Sequence, residues 1–427
     1  MSEVLTSVEA ISEGMPFPPY MSRHRLDTYK VNSERFNGNY NTNKFIRIKN
    51  LNGGVDKFPI ITVNYFKLQT LKLQGLLLNE KPIISSSTPD LTTTLNDLIE
   101  NSGFYRAFLS VYRNFSSLGT GAFYLSCGEK GPKVNSVNPE FIYKVVDAED
   151  IETITCYILV QPIFKVDYKQ SYYVQDIEKL RVLYHYKGYY IEKIFNFKSE
   201  KIGDCISTKR IDTGLSDFAV FCVDNNTPTN DVWGLSDYDN IADTVAIYEQ
   251  TITLINALMI KNVNPILQVP TGVFTENEQT GKLEAPTDGD AVEVSPEDKD
   301  TLKYITYDLQ ITDIRGYLEF LLNELGIHSE LSKTFLTGEF TSNLSGAAIR
   351  NLLKAPLDKI SRAIDEMEPS IKHLFTQMLY LAGYDVNPSS INIVWRDGVR
   401  DTSDDNIGLN SAGEENVGNT NGGVVIE

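Results

Sequence analysis

A helical period that continues over residues 232–262 is the feature that most constrains this fold. Apolar residues recur there at three- and four-residue steps, and Pro265 ends the pattern. Ser236 followed by Asp239 resembles a capping box, and the rod would be roughly 46 Å long at about 1.5 Å per residue. The early charges of the helix are acidic, which suits its dipole and predicts an acidic polar face. These residues are Asp237, Asp239, Asp243 and Glu249.

A second amphipathic helix is predicted over residues 311–327, with a compact segment between the two helices. This segment contains short strand patterns at residues 265–269 and 303–307, and residues 263–308 hold ten acids against three lysines. A helix, a small acidic β insertion and a returning helix together predict a protruding hairpin.

Residues 329–345 show no sustained period and are rich in Ser, Thr and Gly, which predicts a long loop. A third helix follows over residues 346–382. Pro356 and Pro369 lie inside it, so we expect a kink near one or a break at the other. Residues 391–395 alternate as one strand, which must return to a sheet made earlier in the chain.

The sequence pattern of the first half of the chain predicts a body of both helices and strands. Residues 1–60 are polar and locally basic, which favours a solvated arm or a partner-facing helix over a nucleic-acid contact. Helical patterns cover residues 63–78, ending near Gly75, and residues 90–118, with an interruption at Gly103. The β-branched and aromatic runs of residues 119–223 predict five or more antiparallel strands, so the fold class is α+β.

The formal net charge of −18 argues against a surface built to neutralise DNA phosphates, although DNA inside a repelling channel is compatible with it. No apolar run approaches the roughly 20 residues that span a bilayer. The four cysteines are widely spaced, as expected of reduced thiols in a cytoplasmic setting. From Asp401 onward there are six acids and no Lys or Arg, which predicts a disordered acidic tail.

No motif for catalysis is found in the sequence. It contains no P-loop, no GxSxG elbow and no HExxH, and the acidic clusters at residues 297–300 and 401–405 lack EF-hand spacing. We therefore assign no catalytic residue, no metal ligand and no cofactor. An enzyme with a scattered site, such as a metal-dependent nuclease, is the alternative from a different class.

The order of these elements resembles the portal proteins of tailed bacteriophages, in particular the large portal family of siphophages that infect Gram-positive bacteria. The likeness covers roughly residues 20–400, and its individual strings are short. They are residues 60–68 with 75–82, 118–125, 137–143, 146–150 and 234–241. Such portals often carry a helical crown after the last strand, whereas only the acidic tail follows Trp395 here.

The resemblance implies a phage-portal-like fold with a β-rich wing, long stem and tunnel helices, and a small α/β clip insertion. Its segments would be the wing (1–231), stem helix 1 (232–262), the clip (263–308), stem helix 2 (309–328), the tunnel loop (329–345), the tunnel or wing helix with the returning strand (346–400), and the tail (401–427). The tail is the predicted disordered segment.

The resemblance also implies a non-enzymatic subunit of a ring of about twelve copies at the capsid vertex. The ring would be the channel for DNA packaging and ejection in the virion, after assembly in the host cytoplasm and without a membrane. Its partners would be double-stranded DNA, a terminase, a major capsid or scaffold protein and a head–tail adaptor. Another structural ring protein, of the phage neck or baseplate, is the closer alternative.

An acidic lumen would repel DNA phosphates and let DNA slide, since about twelve copies at −18 give on the order of −216 charges. Lys333 is the only base in the predicted tunnel loop and is the first candidate for a phosphate contact. A salt bridge from Lys333 to Glu330 or Glu339 of a neighbouring subunit is an equally good interpretation. The weaker candidates for DNA contact are Thr334, Thr337, Thr341 and Ser342.

Overall fold

The structure is a computed structural model of the 427-residue chain. It describes residues 4–49, 54–128, 131–166, 175–263, 266–270, 275–276, 283–284, 291–294, 303–305, 311–338 and 346–395. The predicted tail, residues 401–427, lies outside these ranges.

The described residues form eight α-helices and seventeen strands. The helices are α1 (Arg23–Asn37), α2 (Tyr65–Leu78), α3 (Pro89–Ser102), α4 (Phe104–Leu118), α5 (Ala242–Val263), α6 (Ile311–His328), α7 (Lys333–Thr337) and α8 (Gly346–Leu381). The strands are β1 (Phe45–Lys49), β2 (Val55–Pro59), β3 (Ile83–Ser85), β4 (Thr120–Gly128), β5 (Gly131–Ser136), β6 (Ile142–Val146), β7 (Ile154–Val166), β8 (Gln175–Tyr186), β9 (Tyr189–Lys198), β10 (Lys201–Asp212), β11 (Val220–Asp224), β12 (Ile266–Pro270), β13 (Thr275–Glu276), β14 (Leu283–Glu284), β15 (Ala291–Val294), β16 (Lys303–Ile305) and β17 (Asn392–Val394). The predicted mixture of helix and sheet is confirmed.

The β-rich body contains two packed antiparallel sheets, as the runs of β-branched and aromatic residues predict. One sheet has the order β10-β9-β8-β7-β6 and the other the order β11-β4-β5. Side chains of both sheets share a buried cluster, in which Tyr157 and Leu183 of the larger sheet join Ala122 and Val220 of the smaller one. Every strand pair in these two sheets is antiparallel.

The main hydrophobic core lies where α4 and α8 meet the smaller sheet. Phe104 packs against Phe123 of β4 and against Phe375 of α8, with ring centroids 5.7 and 4.9 Å apart. Gly103 separates α3 from α4 at the predicted position and has a φ of 80°, a left-handed conformation that glycine adopts without a Cβ penalty. The sequence-based interruption of this helical stretch is confirmed.

The long helix α5 begins at Ala242, so the prediction of a helix from Val232 is wrong for its first ten residues. The Ser236 hydroxyl donates to the Ser117 carbonyl at 2.6 Å and accepts from the Tyr238 amide at 3.1 Å, so it caps a turn that precedes α5 and not α5 itself. Lys144, which is buried, donates to the Val232 carbonyl at 2.6 Å and forms an ion pair with Asp224 at 2.6 Å. These contacts hold the segment that precedes α5 against the β body in a non-helical conformation.

The close packing of two glycines also fixes this segment. A Cβ added to Gly119 would lie 2.2 Å from the Gly234 carbonyl oxygen, and one added to Gly234 would lie 2.1 Å from the Gly119 oxygen. Only residues without a side chain allow the backbones to approach this closely. The segment that leads to α5 therefore crosses directly over the end of α4.

The second half of the chain follows the predicted order of elements. The strands β12 and β16 pair antiparallel between α5 and α6, and α6 covers the predicted range. The helix α8 continues through both Pro356 and Pro369, so of the two predicted effects of these prolines a break is not observed. The strand β17 returns to pair with the early strand β3, as predicted, but the two form a separate two-stranded sheet and do not join an earlier one.

The basic N-terminal region is folded onto the body, so its interpretation as a solvated arm is wrong for α1. Arg25 is 6% exposed and donates to the carbonyls of Pro139 and Ile142, at 3.1 Å each. Its guanidinium group lies 3.8 Å from the ring centroid of Trp233. After α1, the β1–β2 hairpin packs against α5.

Candidate functional site

The first part of the predicted tunnel loop is ordered as the short helix α7, because its polar groups are capped at both ends. The Ser332 hydroxyl accepts from the Phe335 amide and donates to the Leu352 carbonyl of α8 at 3.2 Å. At the other end, Lys72 of α2 donates to the carbonyls of Phe335 and Leu336. The prediction of a continuous loop over residues 329–345 is therefore wrong for the five residues of α7.

The predicted DNA-contact residues divide between α7 and the residues beyond it. Lys333 and Thr334 are half-buried in the first turn of α7, whereas Phe335 and Leu336 are buried on its inner side. The Thr337 hydroxyl donates to the Lys333 carbonyl at 3.0 Å. Thr341 and Ser342 lie outside the described residues.

The residues just before α7 are held to α8 by two cations. Arg362 forms an ion pair with Glu330, and Lys359 donates to the Ser329 carbonyl at 3.1 Å. A salt bridge from Lys333 to Glu330 of a neighbouring subunit is the alternative that the sequence leaves open. Such a salt bridge would compete for Glu330 with Arg362 of the same chain. Glu339 lies outside the described residues.

Asp237 occupies a central position in this region and does not belong to α5. Its carboxylate accepts from the Ser116 hydroxyl at 2.6 Å and lies 3.1 Å from the Lys359 ammonium group. The Asn225 side chain donates to the same carboxylate at 3.2 Å. Asp237 therefore connects α4, the segment before α5, and α8, and its side chain is only 11% exposed. Its prediction as a helix residue lining an acidic face is wrong.

Glu249 lies on α5 as predicted, but it is 1% exposed, so its prediction as a lining residue is wrong. The Asn41 amide group donates to its carboxylate at 2.7 Å and the Val63 backbone amide at 2.8 Å. The Tyr40 hydroxyl also donates to it, and burial together with the adjacent Glu249 carboxylate raises the pKa of Tyr40 well above its usual range. Glu249 thus attaches the chain around the β1–β2 hairpin to α5.

The other two predicted acids remain accessible. Asp243 is exposed in the first turn of α5, where a carboxylate stabilises the positive end of the helix dipole. Asp239 precedes the helix and is partly exposed, and burial raises the pKa of its carboxyl group against the opposing effect of Arg35. Of the four predicted acids, Asp243 is the one that lies exposed on α5.

Two lysines that organise this site were missed by sequence reasoning, namely Lys72 and Lys359. Each lies on a helix whose period predicts only which face is apolar, and neither belongs to a recognisable motif. Burial lowers the pKa of Lys72, whose ammonium group points at the carboxyl end of α7. A cation at this end of a helix stabilises the unpaired carbonyls.

Within the described part of the chain, no group of three or more His, Cys, Asp and Glu side chains is placed to hold a metal ion. Of the helices in the same ranges, none combines the length and the apolar character that a bilayer-crossing segment needs. All four cysteines are free thiols.

The sequence matches a known protein family over most of its length. The family described as "Phage portal protein, SPP1 Gp6-like" matches residues 20–411. The chain belongs to this family. The family resemblance inferred from the sequence is thereby confirmed over nearly the whole chain, and the portal family is a structural one. No curated protein matches the chain.

Among solved structures, a chain from the "Virion of native gene transfer agent (GTA) particle" is similar to this portal-family chain. The two chains are 13% identical, the match covers 96% of this chain and 94% of the other, and the TM-score is 0.47.

Proposed function

We propose that this chain is the subunit of a ring of about twelve copies at the vertex of a phage capsid, through which double-stranded DNA enters and leaves the virion. The observation that carries the proposal is the family match over residues 20–411. The hairpin of α5, a β insertion and α6, followed by a loop and the long helix α8, supports it. In this assignment residues 1–231 are the wing, residues 263–308 the clip and residues 329–345 the tunnel loop.

The channel would be lined by the residues that follow α6. Lys333 and Thr334 lie on α7, which precedes Thr341 and Ser342 in the sequence. Arg362 and Lys359 hold Glu330 and Ser329, just before α7, to α8. A mostly acidic ring repels phosphates, and a few basic or hydroxyl side chains provide transient contacts. The clip and the wing would bind the terminase, the head–tail adaptor and the capsid or scaffold protein.

Light scattering and negative-stain imaging of the purified chain test this function. We expect rings with a central hole and a mass of about 576 kDa, which is the mass of about twelve copies of 48.0 kDa. Heads assembled with the protein should package DNA and heads without it should not. Particles of one or two chains, both alone and in assembling heads, would contradict the proposal.

A further inference from the structure

The β1–β2 hairpin has a basic outer face. Its residues alternate between half-buried positions, which face the protein, and exposed positions. Between Lys44 and Pro59 the sequence holds four bases and one acid, although the whole chain has a net charge of −18. We call the exposed set the hairpin basic face, and it consists of Phe45, Arg47, Lys49, Val55, Lys57 and Pro59.

This face lacks counter-charges within the described part of the chain. Arg47 lies directly opposite Lys57 in the strand register. Like charges directly across an antiparallel pair repel each other. Among the described residues, no carboxylate forms an ion pair with Arg47, Lys49 or Lys57. Phe45 and Val55, which are 48% and 49% exposed, add apolar surface beside the cations.

A complementary surface runs along α6. Five residues follow one another at steps of four, three, four and three, which places them on one helix face. Three of them are large apolar side chains that are 47%, 53% and 67% exposed, and two of these rings stack at 6.4 Å. The other two are carboxylates. We call this set the α6 seam, and it consists of Asp313, Tyr317, Phe320, Glu324 and Ile327.

We propose that the hairpin basic face of one copy docks on the α6 seam of the next copy in the ring. This inference rests on the proposed function, since it names the surfaces that join the subunits. The seam carboxylates supply the missing counter-charges for Arg47 and Lys57, and the rings of Tyr317 and Phe320 receive apolar side chains and cations.

The arrangement of the two surfaces fits ring assembly. Both the hairpin and α6 pack against α5 of the same chain, and they present different surfaces. A contact between two different surfaces of identical copies is heterologous, and it closes into a ring when the rotation between copies allows. Each copy would use its hairpin toward one neighbour and its α6 seam toward the other.

Charge reversal on each side tests the contact. The variants Arg47→Glu with Lys57→Glu, and Asp313→Lys with Glu324→Lys, should each lower the fraction of chains in rings more than about tenfold, because like charges then face each other. The variant with all four changes should restore the rings, since opposite charges face each other again. Ring fraction is measured by light scattering and negative-stain imaging.

Two further variants serve as controls. Glu319→Lys changes the same charge on α6 outside the seam, next to Arg315, and should leave the rings unchanged. The milder pair Arg47→Gln with Lys57→Gln removes the repulsion and should fold even where a reversal variant does not, with fewer rings than the unaltered protein. Circular dichroism checks that each variant is folded.

The outcomes separate this inference from the proposed function. If the unaltered chain forms no ring, either alone or in assembling heads, the proposed function fails. If the unaltered chain forms rings and both reversal variants form them equally well, the docking contact is wrong while the function stands. Intact rings that have lost only DNA packaging would assign the hairpin to DNA and overturn the inference. Rescue by the four-change variant supports the contact between copies.

Discussion

The Lys359 ammonium group lies 3.1 Å from the Asp237 carboxylate, and both side chains are largely buried. The pair joins α8 to the segment that leads to α5, and Lys359 also donates to the Ser329 carbonyl at the start of the loop that holds α7. One cation thus connects the long helix to two segments that are far apart in the sequence. Its loss would affect both segments at once.

The first prediction concerns this pair. Lys359→Met should lower the free energy of unfolding by about 2 kcal/mol, because it leaves the Asp237 carboxylate largely buried without its cation. Arg362→Met, which removes the much more exposed pair with Glu330, should cost less than about 1 kcal/mol. Urea denaturation of the two variants measures both values. Equal losses would show that the Lys359 pair has no special role.

Periodicity in the sequence predicts those elements that local patterns control. The break at Gly103 and the range of α6 agree with the structure, and the strand within residues 391–395 does return to an earlier strand, β3. In each case an apolar stripe or an alternation marks a buried face, and at residue 103 a glycine marks the break. Such signals depend on residues within a few positions of one another.

Contacts between distant residues explain where sequence reasoning was wrong. The pattern before Ala242 has a helical period, but the Ser117 carbonyl and the Gly119 backbone bind this segment in another conformation. Glu249 has the spacing of a solvent-facing acid, yet the donors that bury it lie about 190 to 210 residues earlier in the chain. A helical period gives the face of a residue only relative to its own helix, so neither outcome was visible in the sequence.

The second prediction separates the two acids of α5 that the sequence treats alike. Glu249→Lys should lower the free energy of unfolding by about 3 kcal/mol or more, because it buries a cation among hydrogen-bond donors. Asp243→Lys should cost less than about 1 kcal/mol, since the side chain is exposed and only the helix dipole is opposed. Thermal and urea unfolding measure these changes. A larger loss for Asp243→Lys would contradict the structure.

The third prediction uses Asp243 to test the acidic channel. Asp243→Lys should leave the ring assembled and lower the yield of DNA-filled heads, because a cation on α5 attracts the phosphates that an acidic lumen repels. Exposed Glu319 of α6 provides a control of the same charge change outside α5. The yield is measured as nuclease-protected DNA per head. An unchanged yield for Asp243→Lys would refute the charge argument at this position.

The fourth prediction concerns acid stability. His185 is fully buried between the rings of Tyr124 and Tyr190, and neither ring nitrogen has a hydrogen-bond partner. Burial lowers the pKa of His185 to about 4. The pKa of this histidine in the unfolded chain is about 6.5, so between pH 6.5 and pH 4 the unfolded chain binds more protons than the folded chain. The free energy of unfolding therefore falls as the pH falls through this range, by up to about 3 kcal/mol.

The variant His185→Phe isolates this contribution. It keeps an aromatic ring between Tyr124 and Tyr190 and removes the titration, so its stability should depend less on pH between 6.5 and 4 than that of the unaltered chain. Urea unfolding at a series of pH values measures the difference. Parallel curves for the two proteins would show that His185 is not the group responsible.

The last prediction tests Lys333 as a contact for DNA. Lys333→Ala should leave folding and ring formation unchanged, because α7 is held by the Ser332 cap, by Lys72 and by buried Phe335. It should lower the yield of packaged DNA and make that yield less sensitive to salt, since a phosphate contact releases a counterion. Exposed Lys354 of α8 provides the matched control, and Lys354→Ala should package normally. If Lys333→Ala instead lowers the ring fraction and leaves packaging per ring unchanged, Lys333 binds a neighbouring subunit.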